Sequence, residues 1–247
     1  MSGLVEFLAD PANWSGSTGI PVRIGYHLLY SLIALGIALV IAVPLGIYVG
    51  HTGRGEAVVA GLANSLRALP TLGLLIVVVM LAAPLFSSSL VFTAPAIFVL
   101  VLLAIPPILT GTYTGIQSAD ASAVDAATGL GYTSGQVLLH VQLPCALPLI
   151  LSGIRGAMLQ IVSTATVAAY VSLNGLGRYI IDGRANSDFG QMAAGAVLVA
   201  VVALGLELAF LLAGRLAISP GLRRSEARVK NPAATAPANP AATAPAT

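Results

Sequence analysis

Five long apolar runs divide this 247-residue chain, and their lengths constrain its fold more than any other feature. A helix that crosses a bilayer needs about 20 mostly apolar residues. The runs cover about 28–49, a second that starts within 57–72 and reaches about 85, then 90–109, 147–173 and 192–212. Pro44 lies near the end of the first, Arg67 and Pro70 interrupt the second, and Pro106-Pro107 closes the third. Only 8% of the residues are charged, against roughly a quarter in a soluble domain, which is too few to coat a globular surface. The expected class is an all-α integral membrane protein with about five transmembrane helices.

Basic residues concentrate at the cytoplasmic ends of spans. Arg54 lies between the first two runs, and Arg215, Arg223, Arg224, Arg228 and Lys230 follow the fifth. With five spans these fall on one side, so the N-terminus is expected outside and the C-terminus in the cytoplasm. Arg178 and Arg184 between runs four and five are balanced by Asp182 and Asp188, and Arg23 is the one dissenting charge. Residues 1–21 form the extracytoplasmic N-terminal segment. No basic stretch precedes its short apolar part, so a cleaved signal peptide is not expected. Leu4, Phe7 and Leu8 share a helical face that suits a membrane interface, with Trp14 at headgroup level. Residues 216–247 form a cytoplasmic basic segment and a Pro/Ala/Thr-rich tail, expected to be extended and disordered.

Between the third and fourth runs the chain turns polar and small: VDAATGLGYTSGQVLLHVQLP, residues 124–144. Asp120 is placed to cap a short helix over about 121–129. Ala123, Ala126 and Ala127 fall at i, i+3 and i+4 and predict one smooth face that permits close approach. Gly129 and Gly131 supply turn positions. Thr133 and Gln136 have capping-box spacing and start a second helix, which Pro144 is expected to end at about Gln142. Helices this short need tertiary support. Pattern alone leaves two uses level, docking of a partner or packing on the chain's own membrane part.

The spacing D-A-A-x-x-x-G followed by V-x-L-P resembles the EAA loop of binding-protein-dependent ABC importer permeases. Here it reads Asp125, Ala126, Ala127, Gly131, Val141, Leu143 and Pro144, with aspartate where the family usually has glutamate. Ala123 precedes it on the same face. HLLYSLIALGIALVIAVPLGIYVGHTGR, LRALPTLGLL, GTYTGI and LPLILSGIRGAMLQIVSTATVAAYVSLNGLGRYIIDG resemble segments of the osmoprotectant branch, which handles glycine betaine, choline and carnitine. The resemblance implies an ABC permease transmembrane domain over 22–215, with a cytoplasmic helix–turn–helix coupling loop at about 117–146. It implies partners as well: a second permease subunit, identical or paralogous, cytoplasmic ATPase subunits that carry ATP and Mg, and an extracytoplasmic solute-binding protein. The place it implies is the plasma membrane of a prokaryote.

Other signals are weaker. GLGYTSG and GLGRYIIDG fit neither a dinucleotide nor a Walker A loop, so no ATPase site of the P-loop type is expected. NGLGRYIIDG reads as a flexible external loop, and the resemblance puts Asn174, Gly175 and Gly177 close to the translocation path. Arg67, Arg155 and Glu207 are expected within spans, where ionisable residues are functional suspects unless they snorkel to an interface; for Arg67, beside Pro70 in the broken second span, snorkelling and a place lining the translocation path stand level. Arg155 and Glu207 reach one depth from their helix ends and are expected to pair. His27, His51 and His140 lack metal-ligand spacing. Cys145 alone excludes an intrachain disulfide and reads as a small filler near a helix start. Ser163, Thr164 and Thr166 read as helix-packing hydrogen-bonders. The net charge of +2 gives no argument for nucleic acid. No catalytic residue, metal site or cofactor of the chain's own is expected. The alternatives are a permease for another small solute such as an amino acid, an intramembrane enzyme, for which no nucleophile–base or metal motif exists, or a channel.

Overall fold

The computed structural model describes residues 2–85 and 90–217, with the side chains of Ser2, Arg67 and Ala217 outside that description. The tail from 218, with Arg223, Arg224, Arg228 and Lys230, and the turn at 86–89 therefore lie outside the described residues. Among those described, all regular structure is helical. Ten α-helices follow in order: α1 Ser2–Ala9, α2 Ile20–Thr52, α3 Glu56–Ala68, α4 Thr71–Ala82, α5 Leu90–Gln117, α6 Ala121–Gly129, α7 Ser134–Val137, α8 Leu143–Val167, α9 Gly177–Ala185 and α10 Phe189–Ala217.

Four continuous helical stretches are long and apolar enough to span a bilayer, and α3 with α4 makes a fifth that bends by 94° at its break. Packing shows that this bent pair must cross as well. A side-chain carbon at Gly46 of α2 would strike Thr112 of α5 at 2.6 Å, and one at Gly50 would strike Ile116 at 2.7 Å. The contacts advance together along both helices, so α2 and α5 run parallel. The chain between them has to return across the membrane. Gly111 and Gly153 cross in the opposite sense: a carbon at Gly111 would sit 2.6 Å from the Leu149 carbonyl, and one at Gly115 2.9 Å from that of Ala146. Helices α5 and α8 are therefore antiparallel.

Close approach of this kind is what holds helices together in lipid, where apolar surface gains little by leaving the tails. The buried face of α2 is accordingly built of small residues, Ser31, Ala34, Ala38, Ala42 and Gly46, at helical spacing. Against it and α8 lies the core, with Val99, Leu100, Leu103, Ile108, Met158 and Ile161 almost fully enclosed.

Three sequence expectations need correction. Pro106-Pro107 does not close the third span, because α5 runs on to Gln117 with Pro95, Pro106 and Pro107 inside it. Proline forfeits a helical hydrogen bond, yet neighbouring helices make that tolerable within a bilayer, and Pro106 is buried among them. Pro144 does not end its helix either. A π-helical turn, Leu138–Gln142, joins α7 to α8, and the Leu143 N–H donates to the Leu138 carbonyl five residues back. The wider turn makes room for a proline at the second position of α8, where its missing N–H is harmless. Finally, NGLGRYIIDG is no flexible loop: Leu176 is fully enclosed and Gly177, Tyr179 and Gly183 are buried in or beside α9.

The two ends of the bundle are distinct. At one end Tyr179 Oη donates to the Thr18 carbonyl at 2.9 Å, Arg23 lies 3.7 Å from Asp182, and the Arg23 guanidinium stacks 4.7 Å from the Tyr179 ring centroid. Arg23, the dissenting charge, is thus tied to α9. Phe7 and Leu8 of α1 pack there too, and Trp14 donates to the Leu8 carbonyl. At the other end Gln117 donates to Glu56 at 3.0 Å, joining the close of α5 to the start of α3.

Candidate functional site

The second end carries the two-helix unit. Asp120 caps α6 as its sequence position requires, accepting from the Ser122 N–H at 2.8 Å and the Ser122 hydroxyl at 2.6 Å. These two donors hold the Asp120 carboxyl below its ordinary pKa. Gly131 then turns the chain with φ +89°. Its N–H donates to the Thr128 carbonyl and that of Tyr132 to Ala127. Gly129, expected to share that role, is instead the last helical residue of α6 and has no positive φ. The Thr133–Gln136 box forms in both directions: the Thr133 N–H donates to Gln136 Oε1 at 2.8 Å, and the Gln136 N–H to Thr133 Oγ1 at 3.4 Å.

From Ser134 to Val171 the helix is continuous over 38 residues. At 1.5 Å per residue that is about 57 Å, nearly twice a hydrocarbon core of about 30 Å. So α7 is the projecting end of the fourth span itself.

The smooth alanine face divides in two. Ala127 is buried, 7% exposed, and belongs to the packing of the loop on itself, as does Val137. Ala123, Asp125 and Ala126 stay exposed. Leu130 is 80% exposed, and Leu139 and Tyr132 are also exposed. These three escaped sequence reasoning. The available signal was Leu130 itself, a bare apolar residue between two glycines in a polar loop. Val141, Leu143 and Pro144 are half-buried where the projection enters the bundle, and Leu138 and Leu143 pack on Ile116, Ala146 and Ile150.

Within the spans, Arg155 and Glu207 meet at 3.3 Å, both partly enclosed, while Glu207 Oε2 is buried without a partner. Pro70 stands at the start of α4, where the bent pair breaks. The Arg67 side chain lies outside the described residues. Asn174 is exposed; Gly175 and Gly177 are buried, Gly175 against the His27 ring and Gly177 against the Thr166 carbonyl. Tight packing accounts for Gly177, and a positive φ of +137° together with the His27 contact accounts for Gly175. Thr166 bonds back to Val162 and Ser163 to Gln160, as helix-packing hydroxyls do. On α8, Ser152, Gly156 and Ser163 are exposed on one side, with Gln160 half-exposed beside them. Among the described residues, no group of three or more His, Cys, Asp or Glu is placed to hold a metal.

The class defined by the described residues is a multi-pass helical membrane bundle with a two-helix unit at one end. The family model for the inner membrane component of binding-protein-dependent transport systems matches residues 42–224. The chain belongs to that family, and it is a permease subunit rather than an enzyme, the ATPase being a separate subunit. It is 31% identical to the glycine betaine/carnitine/choline transport system permease protein OpuCB of Bacillus subtilis, over 81% of this chain and 89% of that one. It is 34% identical to the carnitine transport permease protein OpuCD of Listeria monocytogenes, over 72% of this chain and 77% of that one. Among solved structures, the MetNI methionine ABC transporter in an inward-facing conformation shares the fold, with a TM-score of 0.70 at 19% identity, covering 85% of this chain and 100% of that one. The protein is therefore a multi-pass inner membrane component of an importer that works with ATPase and solute-binding partners.

Proposed function

We propose that the chain passes small osmoprotectants of the glycine betaine, choline or carnitine type into the cell, driven by ATPase subunits that dock on its 117–146 loop. Two relatives that cover most of its length carry such substrates in their names, and that observation carries the substrate class. ATP and Mg reside on those ATPases. Residues 22–215 make up the permease domain, and the second permease subunit is a copy or a paralogue of this one. The positively charged Arg54 and Arg215 share the loop's end of the bundle, which supports a cytoplasmic loop and C-terminus and an external N-terminus.

The mechanism needs a stiff path from partner to span. ATPase movement presses on the exposed side of α6, with Ala123, Asp125, Ala126 and Leu130. Caps and turn keep the unit from yielding, and the helix through α7 carries the displacement into α8. The exposed polar side of α8, Ser152, Gly156, Gln160 and Ser163, falls within about 80° of arc at 3.6 residues per turn. It faces the second subunit, and solute moves past it. Recognition of a quaternary ammonium group relies on aromatic faces, and with 6% aromatic residues this chain leaves high affinity to the binding protein. The test is uptake of labelled glycine betaine by cells holding the complete system and no other osmoprotectant importer. Energy-dependent uptake competed by choline or carnitine is expected; uptake competed only by methionine or another amino acid overturns the substrate class.

A further inference from the structure

The His51 ring, at the membrane exit of α2, is held on both nitrogens by the two-helix unit. Nδ1 lies 2.6 Å from Gln142 Oε1 and Nε2 2.7 Å from Ser134 Oγ. A neutral ring satisfies both at once, donating from Nδ1 to the amide oxygen and accepting the serine O–H at Nε2. The partners are 83 and 91 residues away in sequence and bracket a single structure. Ser134 opens α7, and Gln142 is the last residue of the π-helical turn. Such a turn, closed by hydrogen bonds five residues back, is a local departure from the α-helix on either side of it. One residue before His51, Gly50 is packed so closely on α5 that an added carbon would meet the Tyr113 carbonyl at 2.8 Å. The histidine is therefore anchored on the α2–α5 pair and holds the helix just ahead of its π-helical turn, at Ser134, and at the last residue of that turn, Gln142.

We propose that His51 is a positioning residue for coupling: it clamps the π-helical turn to α2, so that force entering at α6 and α7 reaches span one as well as span four. This rests on the reading of 117–146 as the ATPase-coupling loop. The clamp transmits movement and does not hold the ATPase, whose contact surface is the exposed side of α6.

The experiment measures uptake and ATP hydrolysis together in the complete transporter. His51→Ala is expected to insert, to retain its ATPase on purification, and to lower solute accumulated per ATP hydrolysed about tenfold. His51→Asn can still reach Gln142 and His51→Gln can still reach Ser134, so each is expected to restore part of that ratio. A purely structural histidine would change yield and leave the ratio alone. Should His51→Ala lower yield, the paired change Ser134→Ala with Gln142→Ala removes both bonds from the other side and is expected to give the same loss of ratio. An unchanged ratio, or loss of the bound ATPase, overturns the clamp. Failure of the coupling-loop reading itself would register separately, as full ATPase association and uptake with Ala126→Trp.

Discussion

Replacing Gly131 isolates the turn that presents α6. Its φ of +89° lies in the left-handed region, and a carbon added there meets nothing within 4 Å. The first added carbon therefore brings backbone strain and no close contact of its own. An ordinary L-residue pays about 1–2 kcal/mol in that region, enough to change the population of the native turn by a factor of roughly 5–30. A β-branched residue is the worst case and asparagine the mildest, since its short polar chain tolerates the conformation. Gly131→Asn, →Ala and →Val should therefore lower uptake in increasing order, with Val down at least tenfold and the spans still inserted. Hydrogen exchange provides an independent scale, because the Gly131 and Tyr132 N–H groups bond the Thr128 and Ala127 carbonyls. Their protection should fall in the same order. Equal damage from all three, or a fully active Val variant, refutes the argument that left-handed geometry at this residue positions the docking helix.

Neutralising Arg155 or Glu207 alone leaves a charge without its partner within the bundle, so Arg155→Met and Glu207→Gln should each reduce folded yield more than the two together; additive losses in a double-mutant cycle would mean that the 3.3 Å pair does not couple. Asp120 gives a pH dependence. Its pKa is lower folded than unfolded, so its stabilising effect is complete above the unfolded value of about 4 and fades as pH falls through the lowered one. Protection of the Ser122 amide should therefore drop in acid, and Asp120→Asn should flatten that response.

Span positions were legible because they depend on length and apolarity, which are local. The Asp120 cap and the Thr133–Gln136 box were legible for the same reason: each is closed within four residues of chain. What could not be read depends on partners distant in sequence. Pro144 looked like a stop because only the π turn before it, supported from α2 by His51, lets the helix continue. Pro106-Pro107 looked like an end because the helices that enclose it are far along the chain. Glycines in 175–183 resembled a loop, although Gly177 and Gly183 allow α9 to pack tightly on α10 and on the end of α8. Ala127 shared a helical face with Ala126, yet the Tyr132 amide and the fold of the loop turn it inward. His51 offered no motif at all.

The central claim is that the exposed side of 120–142 bears on the ATPase. A photo-crosslinking residue at Leu130 or Ala126 in the assembled transporter tests it directly, with Asn186 at the opposite end of the bundle as the control position. Capture of the ATPase from 130 and 126 and not from 186 is the predicted result. No capture from either loop position, or capture from 186, would contradict it.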